Sequence, residues 1–575
     1  MIKKITLLVF IVSITNAFSQ NMNFIDKADK PIARSGSSSA KQFGGNIYIS
    51  NGFSANSSFT SEIEKYNVTN NTWSLFTTSI PSIAKQYGNS EITSGNFLWL
   101  YNGNTSTGAI NNKVEKINLT TGELTVNNTL NPNPVYGAGS EYFSLGLLSF
   151  GGCSDKFNAV YSNKFNSFNV NTSTWTALPN MPVGLETKGK MLFGGGEDLY
   201  VFGGYKETNT IAENFETLTV GTIAVNDWLN VAETGTKLYR GNTFNTNKYA
   251  EISAFTQVVA NQEASNKVWL ISNIPLTALA TDQVFLNFDT KDGYNNGATL
   301  QPYLITNWTG NITTSTKVLL NGNIAYGSTI GIAANFTNSG NILLYGDLSN
   351  FRIAFKYTGG YTPERTTSYQ IDNVRVYKTT VSNNIYKYSF SGSNAWVTLN
   401  TLLPESLSAY AIASDSSGAK AYITGDYNNQ TFTGVFDAET ETFTTLTQTN
   451  MVGRRHHNSE ILNNNLYITG GNTDSFIGSV LSSTQSVDLA SLSSNEFVSN
   501  SEFRAYPNPI KNILNLSFET TITSASIYNL LGQEVISKAI NATEGTIDVS
   551  NLTSGTYFVK VFANTFVKTL KVIKE

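Results

Sequence analysis

Residues 147–182 read LLSFGGCSDKFNAVYSNKFNSFNVNTSTWTALPNMP. An apolar run breaks at Gly151 and Gly152, a second run carries Phe168, Trp175 follows seven residues later, and the stretch ends at Pro182. A short apolar run that stops at paired glycines is a strand entering a turn that needs positive φ. The pattern recurs as NIYISNG ending at Gly52, FLWLYNG at Gly103, LYVFGG at Gly204, KAYITGD at Asp426 and LYITGG at Gly471, at intervals of 45 to 52 residues apart from one gap. Tyr66 and Trp73, Ile117 and Leu124, and Phe436 and Phe443 repeat the seven-residue spacing, and Tyr388 and Trp396 are eight apart. Pro81, Pro134 and Pro404 take the place of Pro182.

A repeat of this length, with several strands per copy, is what a β-propeller blade requires. The glycine turns, the spaced aromatic pair and the closing proline resemble the kelch motif. Six copies imply a six-bladed kelch-type propeller, in an all-β chain. The last copy ends at STQSVDLASL without a final strand, while Phe24 precedes Pro31 as Trp175 precedes Pro182. The N-terminal segment is therefore expected to supply that strand and leave no open sheet edge. The propeller is expected over residues 20–206 and 383–494.

The gap in the repeat, residues 207–382, is read as an insertion in blade four. Short strands recur there without helical period, from NFETLTVG to SYQIDNVRVYK, which is the pattern of a β-sandwich. It resembles the choice-of-anchor or cleaved-adhesin jelly rolls of bacterial surface proteins. The resemblance implies a structural Ca²⁺ held by Glu216 and Asp372, and no other cofactor is expected. Trp228, Tyr294 and Trp308 are candidates for a sugar-stacking surface.

Both ends of the chain carry addresses. Residues 1–19, MIKKITLLVFIVSITNAFS, pair two lysines with a short apolar run and small residues, as a secretory signal peptide does. No later stretch is long and apolar enough to span a bilayer. After a linker at 495–502, residues 503–575 carry YPNP at 506–509, LNLSF, IYNLLGQEV, IDVSNLTSGTYFVKV and a basic end. Their order and spacing resemble the C-terminal sorting domain of the type IX (Por) secretion system of Bacteroidetes, an Ig-like sandwich with turns at Gly532 and Gly555. That resemblance implies an extracellular or cell-surface protein and the type IX machinery as a partner.

Thirty-seven basic and 41 acidic side chains, in no long runs, leave no basic face for nucleic acid. Cys153 is the single cysteine, so no intramolecular disulfide forms. The segments after each closing proline or Met451 would meet at the propeller mouth, and they supply Arg34, Lys85, Tyr136, Glu186, Tyr410, Arg454, Arg455 and His456. Arginines there suit a carboxylate, although arginine and histidine at this point also serve the kelch strand by bonding loop carbonyls. His456 and His457 are adjacent and point to opposite faces of a strand, which excludes a galactose-oxidase-type copper site. The expectation is a secreted binding or adhesion protein that recognises glycan or extracellular protein. The alternative is a sugar-modifying enzyme resembling the sialate mutarotases, with Glu186 as base and Arg34 and Arg454 as clamp.

Overall fold

The residues seven apart in the repeat are cross-strand partners. Tyr66 lies opposite Trp73, Ile117 opposite Leu124, Phe168 opposite Trp175 and Phe436 opposite Phe443. The turn between them is built by one side chain per copy: Asn67, Asn118, Asn169 and Asp437 each accept a backbone N–H two or three residues on. Asparagine and aspartate make such Asx turns readily, so a local choice sets the register that stacks the aromatic pair. Ring centres are 4.9 Å apart for Tyr66 and Trp73 and 5.2 Å for Phe168 and Trp175.

The computed structural model describes residues 21–42, 45–56, 58–194, 196–221, 228–473, 479–492, 504–529, 533–563 and 566–575. The expected signal peptide, the linker and Gly532 lie outside them. The fold is all-β, with two short 3₁₀ turns at Val259–Asn261 and Leu489–Leu492 and no α-helix among the described residues. Among the described residues no helix is long and apolar enough to cross a membrane. The chain forms two compact units divided at residue 492.

In the larger unit six sheets have the same meander of antiparallel strands. Their first strands are Ser38–Gln42, Asn89–Thr93, Gly139–Phe143, Glu186–Leu192, Ala411–Ser414 and Asn458–Leu462. Each of these strands packs against the next, and the sixth packs against the first. In the sixth sheet the outermost strand comes from the other end of the unit: Ile25–Lys27 runs antiparallel to Thr484–Asp488, with Ile25 opposite Ser486. Met22 and Phe24 are buried in the same apolar cluster as Leu466, Ile468 and Val487.

The fourth sheet continues into the insertion without a break. Asp198–Glu213 and Ser368–Ser389 pair antiparallel from Asp198 opposite Ser389 out to Glu213 opposite Val374. The boundaries at 207 and 382 therefore fall inside two continuous strands, because the backbone ladder carries straight through from one hydrophobic core to the next. Beyond the ribbon, two antiparallel sheets enclose a single core that includes Phe215, Trp228, Leu270, Phe288, Phe355 and Ile371.

The smaller unit is a five-stranded antiparallel sheet, Arg504–Tyr506, Ile513–Tyr528, Glu534–Asp548, Gly555–Ala563 and Phe566–Lys574. Leu514, Leu516, Ile527, Val559 and Val561 form its core.

Candidate functional site

The segments that lead into the first strands hydrogen-bond to one another around the ring. Gly36 N donates to the His456 carbonyl (3.0 Å), Tyr87 N to Gly36 (2.7 Å), Gly137 N to Tyr87 (2.9 Å), Thr187 N to Gly137 (3.1 Å) and His456 N to Ala409 (2.7 Å). Where the collar passes from the fifth sheet to the fourth, the Tyr410 side chain takes over, accepting from Lys188 N at 3.3 Å and donating to the Lys188 carbonyl at 3.0 Å. Tyr410 is thus a buried strut of the collar.

The collar demands an unusual backbone. Gly36 and Gly137 have φ of 60° and 65°, where glycine is free of strain. Tyr87 and His456 occupy the same place with φ of 52° and 51°. A large side chain in the left-handed region carries a conformational cost of order 1–2 kcal/mol, so something other than backbone preference holds it there. The two rings meet edge-to-face with centres 5.2 Å apart.

Tyr87 and His456 line two spaces at once. On one side is a cavity of about 360 Å³, walled by Phe53, Phe59, Gln86, Tyr427 and Arg455. On the other is a space of about 290 Å³ along the ring axis, lined by the first strands. This inner space is polar: Ser140 Oγ donates to Glu91 at 2.7 Å, Ser39 Oγ donates to Glu460 at 2.8 Å, and Lys190 pairs with Glu141. Burial and the neighbouring Glu141 push Glu91 up to about 8, while burial and Lys190 bring Lys188 down to about 8.

In the outer cavity the Arg455 guanidinium lies over the Tyr427 ring, 4.1 Å from its centre. Arg455 is 6 % exposed, its Nε has no hydrogen-bond partner, and its Nη1 reaches only the Tyr427 carbonyl, at 3.4 Å. Burial together with Arg455, Lys188 and Lys156 drives His456 down to about 3, so its imidazole is neutral at pH 7. His457 turns the other way and its Nε2 lies 2.9 Å from Thr424 Oγ1.

Glu186 sits behind this wall. Burial raises it to about 7, partly offset by Lys156 and reinforced by Glu207. Its charge is felt by Tyr87, Tyr136, Tyr161 and Cys153, and the Tyr136 hydroxyl also interacts with the Cys153 thiol.

Three of the sequence candidates are occupied elsewhere. Arg34 is fully buried, pairs with Glu64 at 2.7 Å and donates to the carbonyls of Asn51 and Glu62, both at 2.8 Å. Lys85 pairs in the same way with Glu115, and each glutamate also accepts a backbone N–H, from Ile32 and Ile83 at 2.8 Å. Arg454 donates to the carbonyls of Gly470 and Ser483 at 3.1 Å and to Gln485 at 3.3 Å. These cations clasp loops to strands and line neither cavity. Along the RRHH run, which the sequence offers as one cluster, the left-handed backbone at His456 breaks strand alternation, so the neighbours Arg455 and His456 both line the outer cavity while Arg454 and His457 bond to loop and strand groups.

In the insertion, Asp372 is buried and accepts from Asn247 Nδ2 at 2.9 Å and Asn373 N at 2.7 Å. Burial lifts it to about 6 against those hydrogen bonds, and Asp289 and Glu216 push the same way. Glu216 accepts Lys248 N at 3.1 Å. Among the described residues no three acidic, histidine or cysteine side chains converge closely enough to hold a metal ion. Trp228 is in the core against Phe215 and Phe355, Trp308 lies beneath Arg352, and Tyr294 is exposed, so the three do not share a surface.

Residues 504–575 match the secretion system C-terminal sorting domain family. No curated protein matches the chain. A solved structure titled "Structure of YjhT" aligns over 80 % of this chain and 96 % of that one, with 9 % identity and a TM-score of 0.40. The sorting domain marks the protein for export to the cell surface or the extracellular space and makes the type IX secretion machinery a partner.

Proposed function

We propose that the exported protein is a binding module, a six-bladed kelch-type propeller with a jelly roll inserted in blade four and an Ig-like sorting domain, and that it recognises glycan at the propeller mouth. The observation that carries this reading is the pair Tyr87 and His456, held in left-handed backbone and lining a cavity of about 360 Å³, where the equivalent positions in two other sheets, Gly36 and Gly137, are glycine. Strain kept at a concave aromatic site is the expected mark of a ligand platform. Glycan is preferred to protein as the ligand because the walls are rings, Phe53, Phe59, Tyr87 and Tyr427, that stack on the C–H faces of sugars. A glycan array probed with the full-length chain and with Tyr87→Ala tests it: bound spots should fade in the variant, and an array blank for both would overturn the reading.

A second reading is favoured by Glu186, whose carboxyl near 7 among Tyr87, Tyr136 and Tyr161 suits proton transfer on a sugar. Arg34 and Arg454 have no part in it. Turnover of reducing sugars that disappears in Glu186→Gln while the fold persists would select this reading. For the insertion, we propose calcium held between Glu216 and Asp372 with backbone carbonyls as the remaining ligands, and Glu216 acting on Asp372 is the observation that supports it, with Ca²⁺-dependent melting as its test.

A further inference from the structure

Arg455 lacks what every other well-buried arginine nearby has. Arg34 is neutralised by Glu64, and Arg375 by Glu207. Arg454 spends its fork on two carbonyls, Ser483 Oγ and Gln485. Arg455 has no ion pair among the described residues, one long hydrogen bond to a carbonyl, and a bare Nε, yet it is almost fully removed from water. A buried guanidinium without counter-charge is costly unless an anion arrives. Stacking on Tyr427 fixes the plane of the guanidinium beside the cavity, so its free edge is set for a planar or tetrahedral oxyanion.

The surrounding field agrees. Lys156 and Lys188 act with Arg455 on His456, whose imidazole is neutral and adds no further cation. Glu186 is the acid that acts on neighbouring Tyr87, and near pH 7 it is only partly ionised.

Resting on the glycan reading above, we infer that the mouth selects an anionic sugar, with Arg455 binding a carboxylate or sulfate substituent while Tyr87 and Tyr427 hold the ring. The experiment measures affinity of the full-length chain for matched oligosaccharides in three forms: neutral, uronate-bearing and sulfated. At least one anionic form should bind tenfold or more tighter than its neutral counterpart, and added salt should weaken it. Arg455→Gln should bring the ratio of anionic to neutral affinity down to about one, and Arg455→Lys, a second variant that keeps the charge, should recover part of it. Which anionic form wins distinguishes carboxylate from sulfate. Neutral and anionic forms binding alike, with sensitivity to Tyr87→Ala, would overturn the anion inference and keep the glycan reading. Absence of binding to any form overturns both.

Discussion

Tyr87 and His456 come from sheets two and six, yet they sit in equivalent places of the collar, share a φ near 50°, and touch edge-to-face at 5.2 Å. Neither residue suits that backbone, and the Tyr87 ring leaves its neighbour Gly36 no room, since a Cβ there would lie 2.9 Å from it.

His456→Gly separates function from folding. Relief of the left-handed strain offsets the lost ring contacts, so the midpoint of chemical denaturation should move by less than about 1 kcal/mol equivalent. Glycan binding should fall at least tenfold. A variant that unfolds readily would assign His456 to structure instead.

The clasp between Arg34 and Glu64 is a stability element. Removing one partner strands a buried charge, so Glu64→Ala should cost about 3–5 kcal/mol in denaturant titration. The double replacement Arg34→Met with Glu64→Leu should recover only part of that loss, because Ile32 N–H and the carbonyls of Asn51 and Glu62 lose their partners. Equal losses in the single and double variants would contradict the pairing.

Glu186 links stability to pH. Its folded value of about 7 lies above that of an unfolded glutamate, so the folded state resists ionisation. Below about pH 4 both states are protonated and nothing is lost; as pH rises the unfolded state ionises first, and stability declines until about pH 7, then levels. The full effect is on the order of 3 kcal/mol. Glu186→Gln should flatten this part of the profile, and an unchanged slope would remove Glu186 as its source.

Calcium should act on the opposite corner. Millimolar Ca²⁺ should raise the melting temperature of the chain and lower the titration point of Asp372 from about 6, and Asp372→Asn should abolish both effects. Melting curves that superimpose with Ca²⁺ and with chelator would dismiss the ion.

The all-β class and the sorting tail were legible because each rests on local signals: glycine turns, Asx turns, aromatic pairs seven apart, and a run of ordered motifs. The pairing of Phe168 with Trp175 needs only a two-strand register, which the turn residue Asn169 dictates. The site was harder to see. Whether an arginine after the proline faces a loop carbonyl or a cavity turns on a single position in the irregular segment ahead of the strand Asn458–Leu462, beside the left-handed His456, as Arg454 and Arg455 show. The partner of Arg34, Glu64, lies 30 residues on and carries no signal of its own until the repeat is aligned copy against copy, when Glu115 appears at the same distance from Lys85. Left-handed tyrosine and histidine leave no trace in composition at all.

The ribbon of Asp198–Glu213 and Ser368–Ser389 has a mechanical meaning for a protein exported to the cell surface or the extracellular space. Glu207 and Arg375, both nearly inaccessible, form an ion pair across it, and Asn209 Nδ2 ties it to the Phe157 carbonyl at 2.7 Å. A pull on the far end of the insertion runs along both strands together, so the ladder bonds between them lie crosswise to the load and are not opened one at a time. Drag on the inserted domain is therefore passed whole along the ribbon into the fourth sheet, whose two middle strands are the same two chains of backbone.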